Sequence, residues 1–207
     1  MKRLLIFGII ILGTLNLSGQ LNPMDKLFKD KPRDIALYLN MIGQYTQIDL
    51  KRTVIPGIGA GVIINKKISV GIRYYRSTTN IPLSVDPAMG RLQMKWGGLH
   101  LEYTLWPKEK VHLTFPLSVG IGEFKINGNT NGVALTGNPN FIFAEPGFMI
   151  EANIWDYAKV GIGASYRSLA NVTYGSLKAS DISGFNALLS LKFGNFRYSR
   201  YKKTTFN

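Results

Sequence analysis

Residues 57–75 read Gly57-Ile58-Gly59-Ala60-Gly61-Val62-Ile63-Ile64-Asn65-Lys66-Lys67-Ile68-Ser69-Val70-Gly71-Ile72-Arg73-Tyr74-Tyr75. Ile58, Ala60, Val62 and Ile64 alternate with Gly57, Gly59 and Gly61. After Asn65-Lys66-Lys67, the residues Ile68, Val70, Ile72 and Tyr74 alternate with Ser69, Gly71, Arg73 and Tyr75. A period of two puts alternate side chains on opposite faces of a strand, and three polar residues between two such runs make a hairpin.

The same period extends from Ile35 to Phe193. Upstream, Ile35, Leu37, Leu39, Met41 and Tyr45 face away from Tyr38, Asn40, Gln44 and Thr46. Downstream, Leu92, Met94 and Trp96 are followed by Leu99, Leu101, Tyr103 and Leu105, a change of parity at Gly97-Gly98 that an extra residue in a β-bulge would explain. Val111 to Ile121 alternate with His112 to Gly122. Ile142, Phe148, Ile150 and Ile154 oppose Glu145 and Glu151; Val160, Ile162 and Tyr166 oppose Gly161, Gly163 and Arg167; and Leu189, Leu191 and Phe193 oppose Ser190 and Lys192. Pro116 and Pro146 fall inside runs, where each removes a ladder donor and marks a bulge or bend.

These eight runs are joined alternately by short connections (65–67, 107–110, 155–158) and longer ones (47–54, 77–90, 125–140, 170–182). Short turns at one end, longer loops at the other and an even strand number predict an all-β fold, an eight-stranded antiparallel outer-membrane β-barrel over residues 35–195. A soluble periplasmic ligand-binding barrel has the same period. It is disfavoured because the polar face holds mostly Gly, Ser, Thr, Asn and Tyr rather than the Lys, Glu and Asp of a solvated sheet. The apolar face carries almost no ionisable residue. Aromatics gather near the run ends: Trp106, Trp155, Tyr157 and Phe193 toward the short turns, Tyr45, Tyr74, Trp96 and Tyr166 toward the loops.

Met1-Lys2-Arg3, an apolar run from Leu4 to Leu15 and the small residues Ser18-Gly19 form a signal peptide over residues 1–19. The run is too short to span a bilayer, and nothing else approaches the roughly 18 apolar residues of a spanning helix. Export puts the short turns in the periplasm and the loops outside the cell. Residues 20–34 are a periplasmic segment with at most a turn or two of amphipathic helix around Met24, Leu27 and Phe28.

The chain is basic, formally +13, yet only 18% of its residues are charged, so the chain as a whole is neither a disordered tail nor a histone-like binder. The absence of cysteine rules out disulfides, thiolate metal sites and a Cys nucleophile. The inward face is expected to hold Arg73, Lys95, Arg167 and Lys192 with Glu102, Glu145 and Glu151, and both histidines, His100 and His112. An eight-stranded barrel is just wide enough for side chains to fill, so these charges should form an ion-pair network. A proton or small-ion path and a His/Glu acid–base site are the functional alternatives. With a turn at 107–110, His112 and Glu102 come within reach of each other. No Ser stands beside them in a recognisable motif, and a lipid-modifying enzyme would need its His/Ser/Glu set on the lipid face. Neither HxH nor HxxxH occurs, so no metal is expected, and no cofactor. Residues 196–207 form a basic tail with Arg197, Arg200, Lys202 and Lys203. In an exported barrel it suits anionic headgroups or an acidic periplasmic or envelope protein better than nucleic acid.

Trp96-Gly97-Gly98-Leu99-His100-Leu101-Glu102-Tyr103 through His112-Leu113-Thr114-Phe115-Pro116, Glu145-Pro146-Gly147 with Glu151 and Asn153, Gly163-Ala164-Ser165-Tyr166-Arg167, and Asp181-Ile182-Ser183-Gly184 to Leu191-Lys192-Phe193-Gly194 resemble a family of uncharacterised small outer-membrane β-barrel proteins of Bacteroidetes-type bacteria. The resemblance covers residues 91–195; the first half matches in pattern only. It implies the barrel and the outer membrane, and brings no activity with it. The expected role is structural or adhesive, or in envelope assembly, through the loops and tail, and not enzymatic. A narrow pore for protons or small solutes, a lipid-modifying outer-membrane enzyme and a soluble barrel are the alternatives.

Overall fold

The computed structural model describes residues 35–48, 51–77, 81–82, 91–127, 137–174 and 178–196. The expected signal peptide, the 20–34 segment, and Arg197, Arg200, Lys202 and Lys203 lie outside the described residues.

Strands β1 (Ile35–Ile48), β2 (Lys51–Ile64), β3 (Ile68–Arg76), β4 (Arg91–Leu105), β5 (Val111–Asn127), β6 (Asn140–Trp155), β7 (Ala158–Ala170) and β8 (Gly184–Gly194) each pair antiparallel with the next. β1 pairs with β8, Met41 opposite Leu191, and closes the sheet into an eight-stranded antiparallel barrel. Closure satisfies the strand edges that an open sheet leaves unpaired. The Asn65-Lys66 turn has positive φ at both residues (51° and 59°) with Lys67 N–H donating to the Ile64 carbonyl at 3.1 Å, the twist a tight hairpin requires. Two-residue strands at Ile81–Pro82, Gly137–Asn138 and Thr173–Tyr174, and the one-turn helix Ala179–Ile182, lie at the opposite, loop end.

Stepping sideways from Tyr45 through Ala187, Ala164, Phe148, Phe115, Tyr103, Ile68 and Ile64 returns to β1 at Ile35, ten residues lower. The Phe148–Phe115 step continues the register between Thr114–Met149 and Leu117–Pro146. A shear of ten over eight strands, at the usual strand spacings, tilts the strands by roughly 40° and gives a radius of about 8 Å. Inward side chains occupy that interior and are buried there.

The outer wall is apolar. Leu39, Ile58, Ile72, Leu101, Phe115, Ile150, Ile162 and Leu189, one from each strand, are all exposed. The first charged side chains on the wall, Arg76, Lys95 and Glu123, come near the loop end. Trp106, Trp155 and Tyr157 are exposed at the turn end, the last two stacked at 5.8 Å, and Tyr45, Tyr74 and Tyr166 are exposed nearer the loops.

Four expectations are corrected. There is no bulge at Gly97-Gly98: β4 and β5 keep one register from Arg91–Asn127 to Leu105–Leu113. The parity of the sheet is constant, and it is the lumen that changes chemistry, with Leu92, Met94 and Trp96 pointing inward, at most 1% exposed. Trp96 is therefore no part of an outer aromatic girdle. Pro116 and Pro146 interrupt the β5–β6 ladder without shifting it, and the register shift falls instead between Asn153 and Trp155. Lastly, 47–54 is not a long loop, because the ladder of β1 and β2 continues to Ile48–Lys51. Its polar residues belong to strands that rise past the apolar wall.

The lumen is apolar at both ends and polar between. At the loop end Ile42, Ile48, Ile55, Tyr75, Leu92, Met94, Trp96, Phe124, Phe141, Phe143, Leu169 and Ile182 form one buried cluster, with Tyr75 stacked on Trp96 at 5.3 Å and Phe124 on Phe141 at 4.4 Å. At the turn end Tyr38, Ile63 and Phe196 form a second cluster. Phe196 reaches it because its N–H donates to the Asp156 carbonyl at 2.8 Å, which turns the chain inward after β8. Phe196, assigned to the tail by sequence, thus belongs to the barrel. Glycine makes room for the first of these rings: a Cβ at Gly61 would lie 3.0 Å from the Tyr38 ring and 2.7 Å from the Gly71 Cα.

Candidate functional site in the barrel lumen

Between the two apolar clusters the inward positions of β3 to β8 bring six of the residues expected in the lumen into one network. Lys192, from β8, lies between two carboxylates, its Nζ 2.7 Å from Glu102 Oε1 and 2.8 Å from Glu151 Oε1. Arg73 Nη2 stands 3.8 Å from Glu102 Oε2. His100 Nε2 is 3.6 Å from Glu102 Oε2, and His112 Nε2 is 3.4 Å from Glu151 Oε2. All six are buried. In such a site the ion pairs must offset the desolvation of their own charges, and Lys192 does this for two acids at once.

His112 is directly opposite Glu151 in the β5–β6 register rather than beside Glu102. The turn begins at Trp106, with φ 51°, and runs to Lys110, longer than 107–110. This sets Glu102 opposite Pro116 and leaves His100 as its imidazole partner.

Glu145 and Arg167 sit closer to the loop end in a second polar group. Gln44 Nε2 donates to Glu145 Oε1 at 2.7 Å, Ser165 Oγ donates to the same oxygen at 2.6 Å, and Asn186 Nδ2 donates to Ser165 Oγ at 3.0 Å. Arg167 Nη2 donates to the Ile182 carbonyl at 3.1 Å, and its guanidinium lies 5.0 Å from the centre of the Trp96 ring. Arg167 thereby joins the polar tier to the apolar plug above it.

Lys95 is not in the lumen. It stands on the outer wall, half exposed, with Nζ 2.7 Å from Glu123 Oε1. Its place inside is taken by Lys159, which the sequence reading passed over because it opens β7 before the alternation is established. Lys159 is buried, with Nζ 4.6 Å from the Phe196 ring centre. The constant parity of β4 below Gly97-Gly98, carried upward, was the signal that would have moved Lys95 outside.

Ser118 is on the inward face of β5, as the alternation predicts, but its pairing was not foreseen: its Oγ is 3.0 Å from His100 Nδ1. Ser118, His100 and Glu102 stand in the order of a hydrolase relay, but the Glu102 contact is long, and all three are buried between the two apolar clusters. No group of three or more metal-ligating side chains occurs among the described residues. The arrangement holds charge within the wall and fixes the strands against one another.

Solved structures share this geometry. Neisserial surface protein A superposes with a TM-score of 0.57 at 10% identity, over 79% of this chain and 99% of that one. The fold is that of a small outer-membrane β-barrel. Ail of Yersinia pestis in a phospholipid bilayer nanodisc (TM-score 0.47, 11% identity, 78% of this chain and 99% of that one) and OprG of Pseudomonas aeruginosa (0.47, 8%, 77% and 95%) are also found. No family model matches the chain, and no curated protein sequence does.

Proposed function

We propose that the chain is an outer-membrane β-barrel with a side-chain-filled lumen, of the kind the resemblance to the Bacteroidetes-type family implies, and that it serves as a non-conducting anchor for a structural or adhesive role in the envelope. One observation carries this reading: a wall of exposed apolar side chains surrounds an interior in which Lys192, Glu102, Glu151, His100 and His112 are all buried. Apolar side chains facing outward and charged ones facing inward suit a barrel whose wall meets lipid. The lumen is closed by Phe196, Tyr38 and Ile63 at one end and by the Trp96 cluster at the other. Contact with partners is thereby left to the two rims, the loops on the outside and the basic tail on the inside, the latter suited to anionic headgroups or an acidic periplasmic or envelope protein.

Heat-modifiability on a gel tests the membrane barrel: the folded chain should migrate differently from its boiled form and should resist carbonate extraction from outer membranes. Planar-bilayer recording tests the closed lumen. Silence across salts and voltages is expected, and discrete conductance steps would replace the anchor with a pore.

A further inference from the structure

The outer wall of β4 to β7 is not smooth. Near the loop end the outward positions Gly97, Ala144, Ser168 and Ala170 carry little or no side chain where their neighbours carry Leu99 and Ile142, and the result is a furrow. Its lower stretch, about 610 Å³, is lined almost wholly by apolar groups; its upper stretch, about 550 Å³, ends against Tyr74, Lys95, Glu123 and Asn140. Gly97, Ile121 and Ile142 line both, so the two are one trough that leaves the apolar belt and enters the charged rim.

The register at the upper end is unusual. Arg76 is directly opposite Lys95, and Lys95 is directly opposite Glu123. Like charges facing each other across strands repel. Glu123 answers Lys95 alone, and Arg76 has no acidic partner among the described residues. Lys125 is exposed close by, opposite Gln93, and among the described residues of β2 to β5 at this end the cations Lys51, Arg52, Arg76, Lys95 and Lys125 outnumber the acid Glu123. An anion placed between Arg76 and Lys95 removes the repulsion, and a phosphate matches the guanidinium fork.

We infer that this trough binds one phosphorylated glycolipid of the outer leaflet, of the lipid A class, with a phosphate between Arg76 and Lys95 and an acyl chain lying over Gly97, Ala144 and Ser168. The inference rests on the outer-membrane reading above, which puts the loop end in the leaflet that such glycolipids occupy. Tyr74, exposed just below Arg76, stands at the depth where the headgroup meets the chains.

The test uses the full chain folded in detergent micelles, with heat-modifiability as the check on folding and native mass spectrometry counting bound lipid. Lipid A, its dephosphorylated form and phosphatidylglycerol are offered separately. One lipid A should be retained, about tenfold or more tightly than either of the others. Arg76→Ser with Lys95→Ser should weaken it by a similar factor, as should Ala144→Phe with Ser168→Phe, which fills the trough and leaves the cations in place. Undiminished binding in either double variant overturns the site. Equal retention of phosphatidylglycerol also overturns it, in favour of unspecific attraction to anionic lipid. The dephosphorylated lipid reads the phosphate contact on the unaltered chain, so a variant that fails to fold does not end the test. Loss of heat-modifiability in the unaltered chain would sink the membrane-barrel reading itself; its persistence without lipid A binding sinks the site alone.

Discussion

Lys192 is the residue on which the lumen turns. It is 1% exposed and bonded to two carboxylates, one from β4 on the far side of the barrel and one from β6, two strands from its own. Replacing it with Met leaves Glu102 and Glu151 buried with no shared cation, and the expected cost is about 3–5 kcal/mol of unfolding free energy, read by urea titration of the barrel in lipid vesicles. Lys192→Met combined with Glu102→Gln and Glu151→Gln should recover most of that loss, because it removes the charges together. Equal urea midpoints for the unaltered chain and the Lys192→Met variant would show that the network contributes nothing. Gly61 is the steric counterpart. Gly61→Val drives a branched side chain into the Gly71 backbone and the Tyr38 ring, and it should abolish the heat-modifiable species.

The unit of meaning at the next scale is the strand face. Ile72 and Arg73 are neighbours in β3 with opposite fates, one exposed on the wall and the other buried beside Glu102. Ile72→Arg should therefore cost about 2–4 kcal/mol in a bilayer, a charge that Arg73 carries inside at the next position. A neutral effect at Ile72 would mean that the wall meets water. Face and strand number were legible in the sequence because a period of two survives wherever the wall and the lumen differ in polarity. Where the lumen becomes apolar, as at Leu92, Met94 and Trp96, the contrast disappears, and the true parity shows only through the ladder. The same loss of contrast placed Lys95 inside. The ionic residues of the middle tier were legible individually. Their pairing was not, since it follows from a turn longer than its sequence suggests and from long-range register.

For the whole molecule, the plugs decide whether the barrel is a conduit. Phe196 closes the turn end by packing on Tyr38 and Ile63. Phe196→Ala should lower stability by about 3 kcal/mol or more and admit water to Lys159 and Lys192, while bilayer recordings stay silent because the Trp96 cluster still closes the other end. Conductance in this variant would mean that the loop-end cluster is not a seal. The closing seam joins residues far apart in sequence, Met41 to Leu191, whereas every other long pairing joins neighbouring strands. The seam has the greatest loop entropy to overcome. Until β8 is in place, β1 remains an open template for any other strand, so the interval before closure is when the chain is most exposed to aggregation and most dependent on a bilayer or a chaperone to shelter it.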